Sequence, residues 1–243
     1  MGQSRYICVV QLFYSQHIVD GKILLDETES RHAVSVLRKT QGDILQVIDG
    51  KGNRYSAELF DAHKKQAKLE IRETETFPES ISKLHLVVAP TKNIDRIEWL
   101  LEKSIEIGIA SIQFIQCERS ERKMVNRERL EKIALAACKQ SLTWHFPELH
   151  DLVPFKSFIE TEREGQLFIA VCEEAEADIR KMKSLDKKVY VMIGPEGDFS
   201  PNEYALAKKA GWQGISLGQK RLRTETAALV AVANINLIQS WHD

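Results

Sequence analysis

VYVMIGPEGDFSPNE, residues 189–203, reads as a strand, a turn and the first turn of a helix. Val189, Val191 and Ile193 lie in a short apolar, β-branched run that suits a buried strand, and Gly194-Pro195 ends it because proline has no amide to donate. Gly197 is expected to supply the φ that other residues resist. Ser200-Pro201-Asn202-Glu203 has the form of a capping box with proline at the first helical position. Such a unit leaves backbone amides unpaired at the C-terminal edge of the strand, where open α/β sheets bind ligands. LGQKRLRTETAALV, residues 217–230, repeats the logic. Ile215 and Leu217 close a short strand, Gly218 turns it, Lys220, Arg221 and Arg223 follow as a cationic loop, and Thr224 is placed to N-cap a helix. Each piece alone is bland, since G-P-x-G is an ordinary turn and K-R-x-R a solvated face. Their order predicts two turns converging on one pocket.

Upstream, the chain alternates in the same way. Strand 84–89, helix 94–107 ended by Gly108, strand 111–117, helix 127–141 and strand 166–172 after a proline-marked loop together predict a parallel α/β sheet. In helix 127–141 one stripe is formed by Leu130, Ile133, Ala134, Ala137, Cys138 and Ser141. The last helix, from Thr224 to about Trp241, runs through residues 227–233 without a polar interruption. An apolar girth all round implies burial on every side, and so a partner subunit.

Residues 11–77 read as mostly strands with one short helix. SRHAVSVLRK (30–39) spaces Val34 and Leu37 three apart and ends in Arg38 and Lys39, where cations suit the helix dipole. Runs 44–49 and 54–60 flank Gly50-Lys51-Gly52-Asn53, a hairpin signal, and 66–72 adds an alternating strand, so a small barrel is the expected closure. The polar, aperiodic segment 73–82 contains Pro78 and reads as a linker, dividing the chain into residues 1–77 and 82–243. Residues 1–10 are left without an assignment.

Composition narrows the classes. A net charge of −1 confines any nucleic-acid site to local clusters, and residues 31–39, 119–129 and 220–223 qualify, the middle one diluted by Glu121 and Glu128. Cys8, Cys117, Cys138 and Cys172 lie far apart with no C-x-x-C, so neither a metal site nor a disulfide framework is expected. The short apolar run after Arg5 is broken by Gln11 without a cleavage site, and no apolar stretch approaches the roughly 20 residues that span a bilayer, so the expected compartment is the cytoplasm. The absence of G-x-x-x-x-G-K-[ST] excludes P-loop nucleotide hydrolysis. None of the seven histidines falls inside the two turn motifs.

I-G-P-E-G-D-F-S-x-x-E, a helix, a strand, then L-G-x-x-x-L-R-T-E-T-A resembles the signature of the RsmE group of the SPOUT superfamily. These are methyltransferases that use S-adenosyl-L-methionine to methylate N3 of a uridine in 16S ribosomal RNA. The likeness extends to His32, Val36, Leu37 and Arg38, to Gly42-Asp43, and to Asp49, Gly50, Gly52 and Tyr55. It continues through Pro90-Thr91-Lys92, Glu102-Lys103, Glu106, Gly108 and Lys139-Gln140-Ser141, so it covers nearly the whole chain. Two departures stand out. Leu142-Thr143-Trp144-His145-Phe146 replaces a segment that commonly carries a basic residue, and Asp198 stands where glycine is frequent.

The resemblance implies a SPOUT-type parallel sheet with a C-terminal trefoil knot, which connection rules alone would have excluded. It also implies an N-terminal PUA-like β-barrel whose Arg31, Arg38 and Lys39 contact RNA. Ile193, Gly194, Pro195, Glu196, Gly197, Leu217, Gly218 and Leu222 would wrap S-adenosyl-L-methionine, with Lys220 and Arg221 on RNA. Obligate homodimers are implied, with 16S rRNA or the small ribosomal subunit as partner and no metal or membrane. Methylation at N3 needs the imide near its anionic form; a cation beside the ring oxygens favours that form, which selects Arg223, with Arg221 second. Glu225 or Glu196 would accept the proton, though a Glu225 bonded to Arg223 is an equal structural reading. Two rivals stay open: a SPOUT enzyme methylating another position such as a ribose 2′-hydroxyl, and a non-catalytic RNA-binding assembly factor.

Overall fold

Alternating apolar positions build the first sheet. The computed structural model describes residues 11–77, 83–172, 175–185 and 188–240, so residues 1–10, the Pro78 part of the expected linker and the end of the last helix lie outside the described residues. The chain falls into two units, Met1–Ser80 with Cys138–Phe146, and Ile81–Ala137 with Pro147–Asp243.

In the first unit, β1 (Leu12–Tyr14), β2 (His17–Val19), β3 (Lys22–Leu24), β4 (Ile44–Ile48), β5 (Asn53–Asp61) and β6 (Lys68–Thr76) form one sheet in the order β1-β4-β5-β6-β3-β2. β1 joins β4 in parallel and the other pairs are antiparallel. Phe13, Ile23, Leu45, Val47, Leu59 and Leu69 fill the core. The strand expected at 66–72 runs to Thr76, so the first part of the expected linker is sheet. The expected helix 30–39 is displaced: α1 spans Glu27–Arg31 and continues as a π-turn over His32–Val36. Asp26 starts it early by accepting the Glu29 amide at 2.8 Å, and Arg38, at φ 56°, sits outside it. Val36 faces solvent, 63% exposed.

The hairpin turn is held from two sides. Asp49 accepts the amides of Lys51 and Asn53 and the Asn53 side-chain amide, while Gly50 and Gly52 take positive φ. Segment 142–146 packs on it: Gly52 N donates to Trp144 O at 3.0 Å, Phe146 N to Gly50 O at 2.9 Å, and Trp144 stacks on Phe77 at 4.7 Å. A Cβ at Gly52 would fall 2.3 Å from the His145 ring. Segment 142–146 therefore serves the hairpin.

The second unit is a seven-stranded sheet with every pairing parallel. β7 (Leu84–Val88), β8 (Ser111–Gln116), β9 (Glu148–Pro154), β10 (Gln166–Ala170), β11 (Ala177–Asp178), β12 (Val189–Ile193) and β13 (Gln213–Ser216) take the order β11-β13-β10-β12-β7-β8-β9. α2 (Ile94–Ile107) begins on Asn93, which accepts the Asp95 amide, and stops at Gly108, φ 120°. α3 covers Arg127–Ser141 and buries Leu130, Ala134, Ala137 and Cys138. α4 (Phe155–Ile159) and β9 occupy the stretch expected as a proline-marked loop; β9 is half-exposed and irregular in period, and it ends on Pro154. α5 (Pro201–Lys209) begins on the capping box, with Ser200 and Glu203 exchanging hydrogen bonds.

Within this chain α6 (Thr224–Ser240) buries one stripe, Ala228, Ala231, Val232, Ile235 and Ile238, and leaves Leu237 51% exposed, so this chain alone does not supply the burial expected on its other side. No helix among the described residues is long and apolar enough to cross a membrane. Among those residues no group of three or more His, Cys, Asp or Glu could hold a metal.

Candidate active site

β12, β7 and β8 are neighbours in the sheet, and all strands point the same way, so the turns after them share one edge. β13 lies beyond β10, two strand spacings from β12, so the two glycine-bearing turns begin roughly 10 Å apart. That span suits a ligand of nucleoside size lying across the β10 end.

The first turn is tightly packed. Ile193, Gly194 and Pro195 are buried, whereas Glu196 and Gly197 reach solvent. A Cβ on Gly194 would meet the Phe199 ring at 3.1 Å. Gly197 does not have a left-handed φ; Asp198 does, at 61°. The expected reason for Gly197 is thus corrected: an added Cβ would lie 3.2 Å from the Arg119 stem, so what the glycine allows is close approach. Asp198 N donates to Pro195 O at 3.0 Å, and its carboxylate accepts the Phe199 amide at 2.8 Å.

The second turn is looser. β13 ends at Ser216, one residue before expected, and its hydroxyl both accepts the Gly218 amide at 3.2 Å and donates to the Gly218 carbonyl. Gly218 takes φ 141°. Leu217, Gly218 and Leu222 are half-buried, whereas Lys220, Arg221 and Arg223 are exposed, and none of these three cations forms an ion pair among the described residues. Beside the turn, Arg180 makes a two-pronged bond to Asp178 at 2.8 and 2.6 Å, which holds the Asp178 carboxyl down at about 2. Sequence reading did not single out Arg180.

The two candidate carboxylates separate. Glu196 Oε1 accepts the Lys92 amide at 2.9 Å, so it is committed to a neighbouring turn. Glu225, 8% exposed, pairs with Arg96 at 3.6 Å through Oε1, and not with Arg223. Its Oε2 is buried without a hydrogen-bond partner among the described residues. A buried, half-paired carboxylate is costly unless a ligand completes it.

The basic cluster at 119–129 changes meaning. Arg119 donates to Gly197 O at 2.8 Å, Arg122 to Thr91 O at 2.8 Å and to Lys92 O, and Arg127 and Arg129 pair with Glu131 and Glu98. These guanidinium groups are committed internally rather than offered to phosphate. In the first unit, Arg31 pairs with Glu27 at 2.7 Å, Arg38 is exposed and Lys39 half-buried.

Cofactor fit follows from these features. A nucleoside-containing cation would need backbone polar groups along one sheet edge and turns free of Cβ atoms, and Gly194 and Gly218 leave both turns without one.

Comparison with known proteins agrees with this arrangement. Residues 25–72 match the RNA methyltransferase PUA domain family. A probable rRNA-methyltransferase from Porphyromonas gingivalis is 36% identical, with TM-score 0.88 over 96% of this chain and 100% of that one. Ribosomal RNA small subunit methyltransferase E from Neisseria gonorrhoeae, solved bound to S-adenosyl methionine, is 28% identical, with TM-score 0.84 over 94% and 98%. The protein of the same name from Rickettsia conorii is 28% identical over 225 residues, 91% of this chain and 92% of its own. With residues 78–236 matching the RNA methyltransferase domain, and with the parallel sheet and its two edge turns in place, the chain belongs to that family of RNA methyltransferases.

Proposed function

We propose that this chain transfers a methyl group from S-adenosyl-L-methionine to N3 of a uridine in 16S ribosomal RNA of the small subunit. The observation that carries the proposal is the pair of glycine-bearing turns on one sheet edge, flanked by three uncommitted cations and a buried carboxylate with one unpaired oxygen. The relatives' names, ribosomal RNA small subunit methyltransferase E, and the bound S-adenosyl methionine in one of them supply the substrate and the donor.

When bound, S-adenosyl-L-methionine supplies the electrophilic methyl carbon. Ile193, Gly194, Pro195, Glu196 and Gly197 on one side, and Leu217, Gly218 and Leu222 on the other, hold it through backbone groups and apolar contact. Arg223 sets its guanidinium beside the uracil oxygens, stabilises charge on the ring and lowers the N3 proton's pKa. Glu225 takes that proton on Oε2 while Arg96 restrains Oε1. Lys220 and Arg221 engage phosphate. Residues 1–77, completed by 138–146, act as the PUA-like RNA-binding module through Arg31, Arg38 and Lys39, and the rest of residues 82–243 acts as the methyltransferase module with the family's trefoil knot.

The working form is a cytoplasmic homodimer. α2 and α6 pack on each other, and they leave Trp99, Ile107 and Leu237 40 to 51% exposed, an apolar set suited to a second copy. Sedimentation at micromolar concentration checks it: a monomer would remove the dimer from the proposal.

The test of the chemistry uses small subunits and naked 16S RNA with labelled donor, and the methylated atom is mapped by mass spectrometry of nucleosides. Methyl on N3 of uridine is expected; methyl on a ribose 2′-hydroxyl, or none, would overturn it. Arg223→Ala is expected to lower turnover by ~10²-fold or more with donor affinity within a few fold. Unchanged turnover would remove Arg223 from the mechanism.

A further inference from the structure

The loop that follows β8, residues 117–124, sends two guanidinium groups into the turns on either side of the β12 and β7 ends. Arg119 Nη1 donates to the carbonyls of Gly197 at 2.8 Å and Phe199 at 3.4 Å. Arg122 Nε donates to Thr91 O at 2.8 Å, and its Nη2 donates to Lys92 O. The two turns are themselves joined, because Lys92 N donates to Glu196 Oε1 at 2.9 Å. The bonds therefore close a ring: Arg122, Thr91-Lys92, Glu196-Gly197, Arg119 and back along the loop. At its root the loop is tied again, Glu118 N donating to Glu203 Oε1 at 2.8 Å and Cys117 N to Ser120 Oγ at 2.9 Å.

Bonding a carbonyl fixes the whole peptide plane, and with it the amide on the other side. The plane between Gly197 and Asp198 is held on both edges, its oxygen by Arg119 and its N–H by Pro195 O at 3.0 Å. Gly197 lies against the arginine stem so closely that a Cβ would stand 3.2 Å from Arg119 Cβ. The absence of a side chain at 197 and the guanidinium at 119 are two halves of one contact. At Arg122 the planar fork spans two successive carbonyls, a geometry one ammonium cannot reproduce.

We propose that Arg119 and Arg122 are positioning residues for the methyl donor. They hold the 90–93 and 194–199 turns in one fixed arrangement, so that the backbone groups facing the donor are set before it arrives. The inference rests on the reading that these turns receive S-adenosyl-L-methionine. Both guanidinium groups are bonded to turn carbonyls, and both act through them.

The test measures S-adenosyl-L-methionine affinity by calorimetry, together with KM for the donor, kcat at saturation and melting temperature, for the full chain and for Arg119→Met, Arg122→Met, Arg119→Lys and Arg122→Lys. The Met variants are expected to raise Kd and KM for the donor by ~10-fold, and the Lys variants by ~3-fold, because methionine keeps the stem but no N–H, and lysine keeps one charged nitrogen without the planar fork. At saturation kcat should stay within ~2-fold, a split that a merely structural role would not produce. Should a Met variant fail to fold, its Lys counterpart decides, and a Lys variant with wild-type Kd overturns the assignment at that position. Wild-type affinity in Arg119→Met and Arg122→Met, beside a wild type that binds donor, overturns the inference alone. A wild-type chain that binds no donor overturns the cofactor reading and this inference with it.

Discussion

Asp198 holds a left-handed backbone at φ 61° in the turn that carries the proposed donor site, a conformation that costs a side-chain-bearing residue about 1 kcal/mol. Its carboxylate offsets part of that by accepting the Phe199 amide at 2.8 Å. Asp198→Gly should therefore leave unfolding free energy within ~0.5 kcal/mol, exchanging the lost bond for relief of strain. Asp198→Ala loses the bond and keeps the strain, and should cost ~1–2 kcal/mol in urea unfolding. Equal stability of the two variants would show that the backbone at 198 is not strained. At this scale the sequence located a turn, and the left-handed position falls one residue after the glycine it indicates. Glycine is the residue type that favours a left-handed backbone, but what places it at 197 is a tertiary contact, the Arg119 stem lying across it. Arg119 and Arg122 were visible as charges and not as carbonyl clamps, because their partners lie some 30 to 80 residues away in the chain. The signal that could have found them is position: alternating charge at the C-terminal end of a parallel strand, beside a ligand edge.

Helices with an explicit stop and start were legible nearly to the residue. Asn93 and Gly108 frame α2, and Ser200, Pro201 and Glu203 open α5. Short elements without such punctuation were not: β11 has two residues, β9 is irregular in period, and α1 begins on an Asp26 cap that the expected boundary passed over. Strand order was also beyond reach, since nothing local states that β10 comes between β12 and β13. The α5 start carries more than its own helix. Glu203, 6% exposed, receives the Ser200 amide on Oε2 and the Glu118 amide on Oε1, so one carboxylate ties the helix to the loop after β8. Glu203→Gln turns one acceptor into a donor facing an N–H and should cost ~1–3 kcal/mol. Ser200→Ala, which removes only the cap, should cost ~1 kcal/mol. Chemical denaturation separates them: a Gln variant no worse than the Ala variant would mean that Glu203 serves the cap alone.

For the molecule as a whole, acid stability has one identifiable contributor in β7. His85 lies stacked on Tyr190 with ring centres 4.5 Å apart, its Nδ1 is 2.7 Å from Ser111 Oγ, and burial lowers its pKa to about 4. The unfolded chain binds this proton near pH 6.5 and the folded one does not. The stabilisation is thus complete above pH 6.5 and is lost as pH falls through about 4. His85→Phe should flatten that part of the stability profile, the wild type losing ~2 kcal/mol more than the variant between pH 7 and pH 4 after allowance for solvent screening. Parallel profiles would exclude His85 as the cause.

The first unit holds a buried carboxylate, Glu29, 5% exposed, whose counter-ion is Lys139 at 2.7 and 3.0 Å. The partner arrives from 110 residues later, with Trp144, His145 and Phe146 close behind to seat against the hairpin. An amino-terminal fragment that stops near residue 80 would strand that acid without its cation, a defect worth about 3–5 kcal/mol. Synthesis meets the same constraint: as the nascent polypeptide emerges, this portion must wait, unfinished, until translation has passed residue 146. It is a module by shape and not by inheritance, and neither gene fusion nor swapping at the apparent linker would transplant it intact.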